Sequence, residues 1–395
     1  MRVVMIGDVG VVDDMVHIGD EAMFEAARDE LSARGAEVVG ISSSPAETAR
    51  RYGVRAVGRI GFDGLDRASS EARLAAVLSA ADNEDTLAPG DAAHAVIAAV
   101  ADADGVVVAG GGNLASTWPL HVYERAALAG IAARCGKPLA VTGQTLGPRL
   151  DARDRELVAR LLGSARRSGV REAASQRLAA DLGIDARLGV DDASFLGMTA
   201  ADADTPRSGV LVSLSLSLGG APRAKAAARI AALVDAAADE VGGPVRFHAH
   251  FGPLAGVEPR GDALLHEEVR ALMRAPSSVV PSGDARSAAS LARSSALLIT
   301  GRYHPAVFAA PAGVPVLGLV TDDYTAIKQR GALAHWGQDA VVPIAEADSR
   351  GIPRMRSLWA ERAAIAAEAA RRLPDHRAAA SAWWDDVATV LGGMA

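Results

Sequence analysis

Short apolar runs rich in β-branched residues, several ending in glycine and most followed by an alanine-rich stretch, recur along this chain. A strand that is apolar on both faces needs cover on both, which restricts the chain to an α/β architecture with parallel sheets between helices. Arg2–Ile6, Val38–Ile41, Gly105–Ala109, Pro138–Thr142 and Gly169–Arg171 carry the strand pattern in the first half. Helices are expected over Asp20–Arg34, with Asp20 as N-cap, over about Asp91–Ala101 and over Ala173–Asp181. Residues 63–94 are polar and alanine-rich and predict only helical pieces, as a mobile excursion. Thr199–Ser208 is polar, contains Pro206 and reads as a linker. Beyond it the alternation restarts with strands at Val210–Leu216, Val245–Ala249, Ala296–Thr300 and Val314–Leu319, and helices at Pro222–Val241 and about Pro305–Ala312. Pro353–Leu391 is predominantly helical, with an apolar face bearing Trp383 and Trp384.

At 395 residues the chain exceeds what one core ordinarily serves. The expected division is two Rossmann-like domains, residues 1–200 and 207–350, followed by C-terminal helices, 351–395, that pack back on the first. A net charge of −7 with scattered Lys and Arg argues against a nucleic-acid partner. The lone Cys135 excludes an intramolecular disulfide and a cysteine metal cage, and Met1 leads directly into a strand without a signal-peptide pattern. A cytoplasmic protein follows as the expectation. No apolar run reaches the roughly 20 residues of a membrane span, so any membrane contact would be peripheral, at the inner face.

The densest chemistry lies in Gly301-Arg302-Tyr303-His304-Pro305-Ala306-Val307-Phe308. It puts a permanent cation and a titratable imidazole at the carboxyl end of a strand, where open α/β sheets bind ligands. Gly110-Gly111-Gly112-Asn113 would let phosphate or sugar hydroxyls approach backbone N–H groups, though a tight packing turn fits equally. In Gly143-Gln144-Thr145-Leu146-Gly147-Pro148 the amide of Gln144 can orient a hydroxyl, or the segment is an ordinary strand-to-helix turn. Arg171 precedes a helix and can face a cleft there or bridge a surface helix. His248 and His250 are two apart and share a sheet face, with His250 as the acceptor contact and a structural or solvent-facing pair as the alternative; no metal ligand set can be assembled.

These pieces, with His17-Ile18-Gly19-Asp20-Glu21-Ala22, Val170-Arg171-Glu172-Ala173-Ala174-Ser175 and Asp191-Asp192-Ala193-Ser194-Phe195, together resemble the polysaccharide pyruvyl transferase family. The resemblance implies a fold like that of the two-Rossmann-domain GT-B glycosyltransferases, with the active site between an acceptor-side first domain and a donor-side second one. It also implies a reaction in which phosphoenolpyruvate and a sugar diol give a pyruvate ketal and inorganic phosphate. Phosphoenolpyruvate is then a co-substrate and no other cofactor is needed; the partner is a saccharide, lipid-linked or nucleotide-linked.

Arg171, Arg302 and the more loosely matching Lys328 correspond to the family's cations, suited to a carboxylate and a phosphate. His304 is the expected general acid, because protonating an enol ether calls for a group that titrates near neutrality. Gly19, Asp20, Gly111, Gly112, Asn113, Gln144, Ser175 and His250 are the expected acceptor or loop contacts. Two departures stand out: Glu172 where the resemblance leads one to expect Asp, and no arginine after strand Val210–Leu216. They leave room for a GT-B glycosyltransferase using a nucleotide sugar, or for a catalytically silent sugar-binding protein of the same fold.

Overall fold

The computed structural model describes residues 1–199, 206–254 and 258–393; most of the expected linker, residues 200–205, lies outside them. The first half runs β1 (Arg2–Ile6), β2 (Met15–His17), α1 (Ile18–Ala33), β3 (Glu37–Ser42), α2 (Pro45–Tyr52), β4 (Arg55–Gly58), α3 (Arg67–Ala81), α4 (Ala92–Ala101), β5 (Gly105–Val108), β6 (Gly111–Leu114), α5 (Pro119–Arg134), β7 (Leu139–Leu146), α6 (Ala152–Ser164), β8 (Arg167–Val170), α7 (Ala173–Asp181) and β9 (Arg187–Leu188). The second half runs β10 (Val210–Ser213), α8 (Arg223–Val241), β11 (Val245–His248), β12 (Phe251–Pro253), α9 (Ala263–Leu272), β13 (Ser277–Val280), α10 (Ala285–Arg293), β14 (Leu297–Thr300), α11 (Tyr303–Ala309), β15 (Val316–Val320), α12 (Asp323–Ala334), β16 (Val341–Pro343), α13 (Gly351–Ala360) and α14 (Arg362–Leu391).

Two compact units result. The first comprises Met1–Val11, Met23–Asp192 and Ala378–Ala395, the second Val12–Ala22 and Ala193–Arg377. This differs from one break near residue 200 followed by a separate tail. β2 pairs antiparallel with β12, which takes residues 12–22 into the second unit. α13 and the start of α14 also belong to the second unit; only the end of α14 joins the first.

The first unit's sheet has the order β4-β3-β1-β5-β7-β8-β9, with β6 paired to β7. β5 and β7 are buried along their whole length, as strands of a doubly covered sheet must be. Trp383, Trp384, Val387 and Leu391 of α14 close one face against Val3, Met5 and Phe24. Residues 63–94 are more ordered than their polarity predicts. Alanine favours helix, and the Asp66 carboxylate caps α3 by accepting from Ser69 N–H at 2.7 Å, as Asp91 caps α4 through Ala93 N–H at 2.9 Å. Arg73 of α3 grips Asp91 through both Nη atoms, at 2.5 and 2.6 Å, while Leu74 and Val77 enter the core.

The second unit's sheet is wholly parallel, in the order β13-β11-β10-β14-β15-β16. β10 and β14 lie at its centre, packed with Ile230, Val234, Phe247 and Leu317. The chain leaving the carboxyl end of β11 carries His250 and Asp262, and the loop after β14 carries Arg302. No helix among the described residues is long and apolar enough to cross a membrane.

Candidate active site

β14 ends at Thr300 and α11 opens at Tyr303, so Arg302 occupies the N-cap position and His304 falls within the first helical turn. The helix begins two residues earlier than expected. The Arg302 backbone is tied down at both groups: its N–H donates to Thr300 Oγ1 at 3.0 Å, and its carbonyl accepts from Gln329 Nε2 at 2.9 Å. The guanidinium is held by Asp262, with Nε donating to Oδ2 at 2.7 Å and Nη2 to Oδ1 at 2.5 Å. Asp262 is fully enclosed and also accepts from the N–H groups of Phe251 (2.9 Å) and Leu216 (3.2 Å). It occupies the Nε–Nη2 edge of the guanidinium and leaves the Nη1–Nη2 edge for a second anion. The Arg302 side chain is 21% exposed.

Imidazoles surround this arginine. His17 Nε2 lies 3.4 Å from Arg302 Nη1, and Asp20 Oδ2 lies 2.8 Å from His17 Nδ1. Asp20 is inside the first turn of α1, not its N-cap, because the helix starts at Ile18. Gly19 backs directly onto His304: a Cβ there would lie 2.0 Å from Nδ1 of its ring. His250 is buried, 5.1 Å from His248 and 6.0 Å from Phe308 between ring centroids. Burial, aided by the cationic potential of His248, His304, Arg302 and His17, pushes His250 well below the usual histidine range. Burial likewise brings His248 and His266 down to about 4. The solvent-facing alternative for His248 and His250 is thereby corrected; β11 ends at His248 and both rings turn inward. His266 Nε2 accepts from Leu214 N–H at 2.9 Å, which holds the loop after β10. Among the described residues no cluster of His, Cys, Asp or Glu could hold a metal ion. Lys328, on α12, places Nζ 5.0 Å from the Tyr303 ring centroid and 4.7 Å from that of Tyr324, whose hydroxyl accepts from it at 3.1 Å.

In the first unit, Arg171 follows β8 and is fully enclosed. Nη1 meets Asp191 Oδ2 at 2.6 Å and Nε donates to Thr145 Oγ1 at 2.9 Å. Two of its three nitrogens are thus engaged inside the unit. Beside it Asp192 accepts from Thr142 Oγ1 at 2.6 Å, and burial, reinforced by the charge of Asp191, pushes its carboxyl up to about 7. Gly110 and Gly143 make room for that carboxylate: a Cβ at either would lie 2.8 or 2.7 Å from Asp192 Oδ2. The glycines therefore admit a side chain of the protein at this point. The segments expected as loops are strands, Gly111–Leu114 in β6 and Gly143–Leu146 within β7.

Gln144 is buried and its Nε2 donates to Ala109 O at 2.6 Å, which commits one of its amide protons to the backbone. Ser175 Oγ accepts from Leu146 N–H at 2.7 Å and donates to Glu172, joining α7 to β7. Both side chains make hydrogen bonds within this unit. Asn113 donates from Nδ2 to Asp8, whose other oxygen meets Arg125 Nη2 at 2.7 Å, His121 Nδ1 at 3.1 Å and Arg59 Nη1 at 3.4 Å. Burial opposes the charge on Asp8, but these cations outweigh it and hold the carboxyl well below its usual range.

The structure thus gathers His17, Gly19, Asp20, His250, Arg302 and His304 in the second unit. Asn113, Gln144, Arg171 and Ser175 belong to networks of the first. Asp262 was not foreseen; it stands 40 residues before Arg302 in a stretch without a recognisable pattern. Asp191-Asp192 was visible as a motif but carried no assigned role.

Residues 17–323 match the polysaccharide pyruvyl transferase family, a span that ends before Lys328. No curated protein matches the chain by sequence. Among solved structures, a Listeria monocytogenes protein described as a UDP-N-acetylglucosamine 2-epimerase is similar at 14% identity, over 93% of this chain and 90% of that one, with a TM-score of 0.58. The UDP-GlcNAc 2-epimerase of Neisseria meningitidis, bound to UDP-GlcNAc, is similar at 11% identity over 93% and 94%, with a TM-score of 0.54. The glycosyltransferase SnogD of Streptomyces nogalater is similar at 17% identity over 99% and 100%, with a TM-score of 0.53. At these identities the likeness establishes the fold, that of the GT-B class.

Proposed function

The chain belongs to the polysaccharide pyruvyl transferase family, and we propose that it transfers the enolpyruvyl group of phosphoenolpyruvate to a sugar diol, forming a pyruvate ketal and releasing phosphate. The observation that carries this reading is Arg302: its Asp262-held guanidinium keeps one edge open, in the same helical turn as His304. The open edge suits a carboxylate or phosphate in bidentate fashion, and Lys328 adds a point charge from over the Tyr303 ring. His304 is the proton donor to the substrate's methylene carbon. Protonation there creates an oxocarbenium-like centre at C2, which an acceptor hydroxyl attacks. The acceptor is a lipid-linked or nucleotide-linked saccharide.

The test is acceptor-dependent phosphate release from phosphoenolpyruvate, with the ketal identified by NMR. Arg302→Ala is expected to reduce that release by roughly 10²-fold or more while remaining folded, the scale for losing one preorganised electrostatic contact. Retention of full activity removes Arg302 from the site. A second reading, a glycosyltransferase using a nucleotide sugar, is favoured by the likeness to SnogD and to an epimerase bound to UDP-GlcNAc. Saturable thermal stabilisation by nucleoside diphosphate sugars, with none by phosphoenolpyruvate, would select it.

A further inference from the structure

We propose that His17, beside the Asp20 carboxylate, is the general base that takes the proton from the attacking acceptor hydroxyl; this rests on the pyruvyl-transfer reading above. The position of the ring is set by backbone. His17 ends β2 in register with Phe251, Ile18 N–H donates to His250 O at 2.9 Å, and the Phe251 ring packs against the imidazole at 5.7 Å. Asp20 Oδ2 lies 2.8 Å from Nδ1 but receives no hydrogen bond from it, so the carboxylate acts on the ring as a nearby charge. The tautomer follows from Arg302. Arg302 Nη1, 3.4 Å from Nε2, can only donate, so Nε2 carries the lone pair. An imidazole with a carboxylate behind Nδ1 and a lone pair on Nε2 is built as a base, and here the lone pair points at the arginine that holds the anionic substrate.

The ring is also reachable, since 41% of its side chain is exposed. The groups facing it are Asp20, Arg302 with Asp262 behind it, and His250. Gly19 brings the other imidazole close, because only a residue without a side chain lets the 17–20 turn run against the His304 ring. One histidine lies against Arg302 and the other against the same 17–20 segment, and the reaction has two opposed proton transfers for them.

The protons balance over one turnover. His304 gives its proton to the methylene carbon, and the π pair of the enol becomes the new C–H bond. The first hydroxyl oxygen bonds to C2 as its proton passes to His17 Nε2. In the second half the C2–O bond to phosphorus breaks and phosphate leaves with that electron pair, receiving the proton from His17. The second hydroxyl closes the ketal and returns its proton to His304.

His17→Asn is expected to lower kcat by roughly 10²- to 10⁴-fold, the range for a general acid or base, with little change in KM for phosphoenolpyruvate. It should also abolish the acidic limb of the kcat/KM pH profile. His17→Ala should be partly rescued by added imidazole, which a purely structural histidine would not allow. Asp20→Asn should displace the acidic limb and cost less, about 10-fold, because it acts through the ring. Thermal stabilisation by phosphoenolpyruvate should persist in His17→Asn. Wild-type kcat and an unchanged profile in His17→Asn overturn this assignment alone. Loss of phosphoenolpyruvate stabilisation in that folded variant overturns it too, making His17 a ligand. Absence of phosphate release by the wild-type protein with every acceptor overturns the pyruvyl-transfer reading and this assignment with it.

Discussion

Arg171 and Arg302 occupy the same local position in the two units, immediately after a parallel strand and just before a helix, and each meets an aspartate at 2.6 or 2.5 Å. Their environments differ in one respect that decides their chemistry. Arg171 is 0% exposed and Arg302 is 21% exposed. The Asp191 pair is an interior ion pair, whose removal leaves an uncompensated charge. The Asp262 pair, in contrast, fixes one edge of a guanidinium whose other edge stays open. An arginine at a strand-to-helix junction is thus a brace in one unit and a candidate ligand in the other, and the surrounding shell makes the difference.

That contrast is open to attack from both sides. The largest effect expected is on turnover, a loss of roughly 10²-fold or more in Arg302→Ala, with a smaller fall in the urea midpoint than Arg171→Ala because Phe251 and Leu216 N–H still bond the Asp262 carboxylate. For Arg171→Ala the weight shifts to stability. Stripping the partner from buried Asp191 should cost about 3–5 kcal/mol in chemical denaturation, visible before any kinetic measurement. Equal destabilisation of the two variants would end the distinction. Asp262→Asn should be milder than Arg302→Ala: the amide loses the charge and one of two acceptors, so the guanidinium loosens and KM for phosphoenolpyruvate rises about 10-fold with a smaller fall in kcat.

A further effect concerns pH, and here the units oppose each other. Asp192 is raised from 3.8 to about 7, so the folded state keeps a proton that the unfolded chain gives up. Its contribution is fully present below pH 3.8 and is lost as pH rises through about 7. His248 and His266 are lowered from 6.5 to about 4, so their contribution is full above 6.5 and lost as pH falls towards 4. Asp192→Asn, which keeps an acceptor for Thr142, should therefore raise stability at pH 7.5 and leave it nearly unchanged at pH 4. The scale is on the order of 1.4 kcal/mol for each tenfold difference in proton affinity between the folded and unfolded chain. Denaturation curves of the two proteins at both pH values check this; a gain confined to the acidic side would reverse the assignment.

Strands such as Arg2–Ile6 and Leu297–Thr300 were legible because burial on both faces leaves short, unbroken apolar runs. The helix at Arg67–Ala81 was not, since its polar, alanine-rich residues form no clear apolar stripe; the Asp66 cap and the Arg73–Asp91 pair stabilise it. Gly110 and Gly143 were legible as positions needing no side chain, but what fills the space, Asp192, was not. Of the candidate site, the Arg302 and His304 pair could be seen in one segment. The Asp262 brace and the contact of His17 with Arg302, across 285 residues, could not.

Local chemistry was enough for the class of fold and for the residue types able to hold an anion and move a proton. Periodicity and the ionisation behaviour of arginine and histidine are carried by each segment on its own. Which arginine keeps an open edge, which histidines are neutral, and which nitrogen of His17 bears the lone pair depended on the folded chain. Those properties are set by charge compensation and burial, and the groups that supply them, Asp191, Asp262 and the pairing of β2 with β12, meet their partners only when distant segments pack together.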